Sequence, residues 1–194
     1  MGNLRSVQKA IEHVGGSAVV TSDPDVIAIA DKLILPGVGA FGDAMRELAS
    51  RGLVEAIHAF IRTERPFFGI CLGAQLLLER GFEGGEQPGL GIIPGSVVRF
   101  DLPPQYKVPH MGWNNVAARN DRTSMLRDIP DNSHFYFVHS YICQPSSPDD
   151  IWLEADYGGR FCAAIHRNNI FATQFHPEKS QTNGLQLLKN FAES

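Results

Sequence analysis

Apolar residues come in short bursts along the chain, and their period changes from one stretch to the next. Leu4, Val7, Ile11 and Val14 stand at helical spacing, and Gly15-Gly16 ends that helix. Residues 17–21 (SAVVT) read as a short strand, and residues 32–35 (KLIL) as another that Pro36-Gly37 stops. Helical spacing returns over 41–51 and 53–65. Residues 67–70 (FFGI) form an apolar run between Pro66 and a turn, the pattern of a buried strand. Residues 72–80 read as helix again. Strand and helix alternate here, which predicts an α/β fold: an open, mostly parallel central sheet flanked by helices.

The second half has a different texture. Glycine and proline cluster over 81–95. Strand-like runs follow at 96–100, 134–139, 151–156, 162–166 and 170–175, and a closing helix is predicted over 183–192. These runs predict added antiparallel strands. No repeat, low-complexity tract or long linker interrupts the chain, so residues 1–194 are read as a single domain.

Composition narrows the function. The 194 residues are 43% hydrophobic and 20% charged, the make-up of a soluble globular protein. A net charge of −4 argues against nucleic acid as a partner, because phosphate binding needs a basic surface. Three cysteines at irregular spacing, Cys71, Cys143 and Cys162, do not form a disulfide framework and suit a reduced, cytoplasmic setting. The first residues lack the apolar core of a secretory leader. No apolar run reaches the roughly 18 residues of a membrane span.

The chemistry concentrates at Gly69-Ile70-Cys71-Leu72-Gly73-Ala74-Gln75. A predicted strand enters a predicted helix through a Gly-x-Cys-x-Gly turn, the pattern of a nucleophile elbow. Small residues at 69 and 73 let the backbone turn sharply. Helix-end N–H groups favour a thiolate at Cys71, and the N–H of Leu72 can hold an oxyanion. Most free cysteines are small core residues, and Cys143 and Cys162 are read so. The flanking glycines separate Cys71 from them.

A cysteine nucleophile needs a base. Of seven histidines, His13, His58, His110, His134 and His166 have no neighbour that suggests chemistry. His139, in His-Ser-Tyr at a strand end, is a candidate for lining a ligand pocket. His176 is best placed: it follows a strand, Pro177 stiffens the turn after it, and Glu178 can fix its tautomer. A solvated surface turn is the alternative. Neither Cys-x-x-Cys nor His-Glu-x-x-His spacing occurs, so no metal is expected.

Gly37, Gly39 and Gly42 match a dinucleotide-binding glycine pattern. The acidic residue that pattern requires at the end of the next strand is absent, and no Gly-Lys-Ser/Thr follows. The loop fits better as a second oxyanion donor beside Leu72, after a peptide flip.

Six segments in order then carry a resemblance over the whole chain. They are Gly-Asn-Leu-Arg-Ser at 2–6, Pro-Gly-Val-Gly at 36–39, Gly-Ile-Cys-Leu-Gly-Ala-Gln at 69–75, Pro-His-Met-Gly-Trp-Asn at 109–114, Phe-Val-His-Ser-Tyr at 137–141 and Gln-Phe-His-Pro-Glu-Lys-Ser at 174–180. The chain resembles class I glutamine amidotransferases, flavodoxin-like in fold. Within them it is similar to the glutaminase subunits of imidazole glycerol phosphate synthases of histidine biosynthesis. The resemblance implies Cys71, His176 and Glu178 as a catalytic triad. It implies Gly37, Val38 and Leu72 at the oxyanion hole, and Gln75, His139, Ser140 and Tyr141 around glutamine. Asn3, Trp113 and Lys179 are implied at the interface with a cyclase subunit, a (β/α)₈ barrel that receives ammonia through a channel. No cofactor is implied. Amidotransferase subunits of pyridoxal phosphate or guanylate synthesis, and a non-catalytic regulatory subunit, are the alternatives. Members usually carry a short apolar strand before Gly-Asn-Leu-Arg, and Met1 stands in its place. The resemblance therefore implies a missing first strand, central in the sheet and costly to lose, and a natural start several residues upstream.

Overall fold

The computed structural model describes residues 4–119 and 123–194. Helices α1 (Leu4–His13) and α2 (Pro24–Ile29) precede strand β1 (Leu33–Gly37), and α3 (Phe41–Ser50) and α4 (Leu53–Ile61) follow it. Strand β2 (Phe67–Cys71) runs directly into the one-turn helix α5 (Leu72–Gln75). Then come β3 (Leu78–Gly81), β4 (Gln87–Pro88), β5 (Ile93–Arg99), β6 (His110–Ala118), β7 (Ser133–His139) and β8 (Tyr141–Pro145). β9 (Ile151–Asp156), β10 (Arg160–Arg167), β11 (Ile170–Thr173) and helix α6 (Gln181–Glu193) complete the chain.

Seven strands form the main sheet in the order β1-β2-β11-β10-β9-β6-β7, and β4-β3-β5-β8 form a second sheet. β1, β2 and β11 run parallel, whereas β10, β9, β6 and β7 join antiparallel. The α/β class is as expected, with the parallel part of the main sheet confined to the three strands that carry the site. Added antiparallel strands make up the rest.

β2 is buried along its whole length, with side chains alternating between two cores. Phe68 and Ile70 pack with Val7 and Ile11 of α1 and Leu187, Leu188 and Phe191 of α6. Phe67 packs on the other side with Phe41, Leu48, Ile57 and Phe60 of α3 and α4. Lys32 donates from Nζ to the Phe191 and Ala192 carbonyls at 2.9 and 2.8 Å, which caps α6 and ties it to the start of β1.

Two sequence expectations are corrected. Residues 17–21 form no strand, and Val19 is 78% exposed: among the described residues no neighbouring strand satisfies that backbone. The helix expected over 72–80 stops at Gln75, because residues 78–81 pair with β4 and β5 instead. Asn3 lies outside the described residues.

Two glycines set the positions of the elements that carry the site. A Cβ on Gly73 would lie 1.7 Å from the Leu35 carbonyl oxygen, so only glycine lets α5 rest on β1. A Cβ on Gly184 would lie 1.9 Å from the Pro177 carbonyl oxygen, so α6 rests on the turn after His176 in the same way. The contacts are with backbone, which cannot rotate aside. Gly73→Ala is therefore expected to destabilise the fold by about 2 kcal/mol or more. A lower melting midpoint in thermal denaturation reads this directly, and an unchanged midpoint contradicts it.

Candidate active site

Cys71 ends β2 and begins α5 with φ 54° and ψ −109°, a conformation that costs energy for any residue with a Cβ. The buried strand before it and the Gly73 contact after it hold that conformation. The thiol is 8% exposed, at the rim of the core. The N–H of Leu72 belongs to the first turn of α5, where helix geometry supplies no carbonyl partner.

Two parallel pairings deliver the other groups. β1 aligns Gly37 with Cys71, so the glycine loop starts beside the nucleophile. Val38 and Gly39 follow it into solvent. β11 aligns Thr173 with Ile70, so the chain leaves β11 at the same end of the sheet. Gln174 comes next, and its Nε2 lies 3.8 Å from the Cys71 sulfur.

His176 is fully buried. Its backbone N–H donates to the Tyr136 carbonyl at 2.9 Å. Ser180 Oγ donates to the His176 carbonyl at 2.6 Å and accepts from the Tyr136 N–H at 2.9 Å. These bonds lock the turn against β7. His176 Nδ1 lies 2.8 Å from Glu178 Oε1, and the Cys71 thiol is near enough to act on the same imidazole. Burial pushes the imidazole pKa down, but the hydrogen bonds and charges of Cys71 and Glu178 outweigh it and raise it from 6.5 to about 9. A thiol, an imidazole and a carboxylate thus stand together. That arrangement is suited to acyl transfer.

The expected pocket residues fall into two groups. Gln75 Nε2 donates to the Tyr141 carbonyl at 3.0 Å and to Gln174 Oε1 at 3.1 Å. Ser140 accepts from the Phe100 N–H through its carbonyl at 2.9 Å, joining the pocket to the end of β5. His139 is buried, with both ring nitrogens on protein partners, the Tyr141 carbonyl and His110 Nδ1, each at 3.0 Å.

Trp113 is 46% exposed and stands edge-on to Tyr136, with ring centroids 6.0 Å apart. The Lys179 ammonium lies over the same tyrosine ring, 6.0 Å from its centroid. Trp113, Lys179 and Met111 therefore mark an outer face just beyond the buried base. Trp113 also lines a shallow cavity of about 490 Å³ with His134, Ser180 and residues 181–183.

Sequence reasoning passed over two residues. Gln174 is a buried polar residue within an apolar run, and that contrast was its one signal. His110 gave no local signal, because its partner is 29 positions away. Burial raises the Cys143 thiol pKa well above its ordinary range and that of Cys162 to about 12, which leaves both inert. Among the described residues no group of His, Cys, Asp and Glu could hold a metal ion.

Comparison with known proteins agrees with this geometry. The family model "Glutamine amidotransferase class-I" matches residues 3–194. The imidazole glycerol phosphate synthase subunit HisH of Rhodopirellula baltica is 56% identical over 192 residues, covering 99% of this chain and 93% of that protein. The subunit of the same name from Acinetobacter baylyi is 50% identical, covering 100% and 94%. In fold, a solved glutamine amidotransferase superposes with a TM-score of 0.75 at 20% identity, covering 99% of this chain and 93% of that one. The PurLQS structure from Thermotoga maritima gives a TM-score of 0.73 at 16% identity, covering 99% and 92%. With a nucleophile elbow, its base and its orienter in contact, and a family match over nearly the whole length, the chain belongs to the class I glutamine amidotransferases.

Proposed function

We propose that this chain is the glutaminase subunit of an imidazole glycerol phosphate synthase. The observation that carries the reading is the contact of Cys71, His176 and Glu178, drawn from separate elements to one end of the parallel strands. Identities of 50% and 56% to synthase subunits of that name favour this synthase over amidotransferases of pyridoxal phosphate or guanylate synthesis.

The chemistry follows from the geometry. Cys71 gives its proton to His176 Nε2, and the sulfur attacks the side-chain amide carbon of glutamine. The amide oxygen takes up the negative charge and is held by the N–H of Leu72 and by one from Gly37-Val38. Collapse of that intermediate breaks the C–N bond, and His176 returns its proton to the departing nitrogen as ammonia leaves. A water molecule, deprotonated by His176, then hydrolyses the glutamyl thioester, releasing glutamate and restoring the thiol. Glu178 keeps the imidazole in one tautomer throughout and stabilises its charged form. Gln75, Ser140 and Tyr141 line the glutamine pocket.

The relatives are named as subunits, which implies a second subunit that uses the ammonia. We place that cyclase, a (β/α)₈ barrel making imidazole glycerol phosphate and aminoimidazole carboxamide ribotide, against the face marked by Trp113 and Lys179. An exposed tryptophan edge-on to a tyrosine whose ring also faces a cation has the character of an interface anchor. A reduced, cytoplasmic compartment keeps Cys71 a free thiol. The peptide flip at Gly37-Val38 is the switch by which the partner controls hydrolysis.

Glutamate release from glutamine is expected to require the cyclase with its ribotide ligand and to vanish in Cys71→Ala. Turnover that survives Cys71→Ala overturns the mechanism, and equal turnover without the cyclase overturns the switch. Glu178→Gln removes a charge that raises the imidazole pKa and leaves only a neutral acceptor for Nδ1–H, so His176 should titrate lower than in the wild type. Histidine NMR reads that shift. The same variant should lose at least about tenfold in kcat, and wild-type kcat with an unmoved titration contradicts the role of Glu178.

A further inference from the structure

Two histidines are buried side by side behind the proposed glutamine pocket. His110 opens β6 and His139 closes β7, and the antiparallel register places them directly opposite each other. They are only 3% and 5% exposed. His110 stacks on Tyr157 and Phe137 with centroids 4.0 and 4.9 Å apart, and Phe100 stacks on His139 at 5.5 Å. Phe161 closes the cage, at 5.8 Å from His110 and 5.4 Å from His139. Phenyl rings would fill this space without the cost of burying polar imidazoles.

The hydrogen bonds fix both protons. His139 Nδ1 lies 3.0 Å from the Tyr141 carbonyl, and a carbonyl only accepts, so Nδ1 carries the hydrogen. A neutral imidazole has one such hydrogen, so His139 Nε2 is an acceptor. Its partner at 3.0 Å is His110 Nδ1, which therefore donates. Both rings are neutral near pH 7. Burial lowers the pKa of His110 to about 4 and that of His139 to about 3, with His110 and His176 adding to the second shift and the bond to Tyr141 opposing it. The bonds then run on toward the nucleophile. The Tyr141 carbonyl also accepts from Gln75, which donates to Gln174, whose amide nitrogen faces the Cys71 sulfur.

We infer that His110 is a positioning residue for this active site: its Nδ1–H fixes the tautomer of His139, which holds the Tyr141 carbonyl where it orients Gln75 and Gln174 beside Cys71. The inference rests on the glutaminase reading above. His110 touches neither substrate nor nucleophile and acts on the Cys71 surroundings through four intermediaries. Its loss should therefore loosen glutamine binding while leaving the triad in place.

The test is glutamate release by the complex with the cyclase subunit, with KM and kcat separated, for wild type, His110→Phe and His110→Asn. Phenylalanine fills the cage and lacks the donor. Asparagine places an N–H where Nδ1–H stands. The phenylalanine variant should raise KM for glutamine by about tenfold with kcat within about threefold of wild type, and asparagine should restore KM to within about threefold. An unchanged KM in a folded His110→Phe protein overturns the inference, as does an asparagine variant that is folded and equally impaired. If His110→Phe does not fold, nitrogen-15 NMR of the wild-type histidines decides. A protonated His139 Nδ1 supports the relay, and a protonated Nε2 overturns it. Cys71→Ala, assayed alongside, reports separately on the glutaminase reading, and the NMR tautomer is read independently of that result.

Discussion

The backbone of Cys71 is the constraint on which this site depends. A residue with a side chain is held at φ 54° between a strand with no exposed residue and a helix of a single turn. Such a conformation persists only where its surroundings leave no alternative. Phe67, Phe68 and Ile70 anchor one side of the turn in two cores at once. On the other side, Gly73 packs so closely on Leu35 that the helix cannot rotate away. Stability stored in the cores is used here to hold a sulfur at a sheet edge, beside helix N–H groups.

Parallel pairing does the rest of the assembly. In an open sheet, parallel strands end together, and groups that follow them meet at one edge. β1 brings the glycine loop there, β2 brings the thiol, and β11 leads to Gln174, His176 and Glu178. The antiparallel strands have another task. β7 supplies the Tyr136 backbone groups that lock the His176 turn, and β6 with β7 builds the aromatic cage behind the pocket. Burial lowers the pKa of all three histidines of this region, and their partners decide the outcome. His176 faces a carboxylate and a thiol and is raised, whereas His110 and His139 face aromatic rings and each other and are lowered. One becomes a base that holds its proton, and the others become fixed neutral struts.

Chemistry was more legible in the sequence than architecture. The elbow, the base and the orienter lie in two compact segments whose residue types are local signals, and the structure brings them into contact. Long-range features left weaker marks. Residues 17–21 are rich in β-branched residues as a strand should be, but that shows only that a segment can pair, and no described strand lies alongside. Residues 72–80 keep helical spacing, yet β3 is drawn off to pair with β5, a choice no local pattern records. β6 went unread because Gly112 and Asn114-Asn115 interrupt its apolar pattern. His110 lay inside that unread strand, so its pairing with His139 emerged only from the register.

The central claim is that Cys71 alone, of three cysteines, is the nucleophile for the glutamine side chain. A chloroketone analogue of glutamine, incubated with the two-subunit complex and followed by peptide mass spectrometry, tests it most directly. The account predicts a covalent adduct on the Cys71 peptide that excess glutamine suppresses, with Cys143 and Cys162 unmodified because they are buried and hold their protons. An adduct on Cys143 or Cys162, or labelling of Cys71 that glutamine does not suppress, would contradict it.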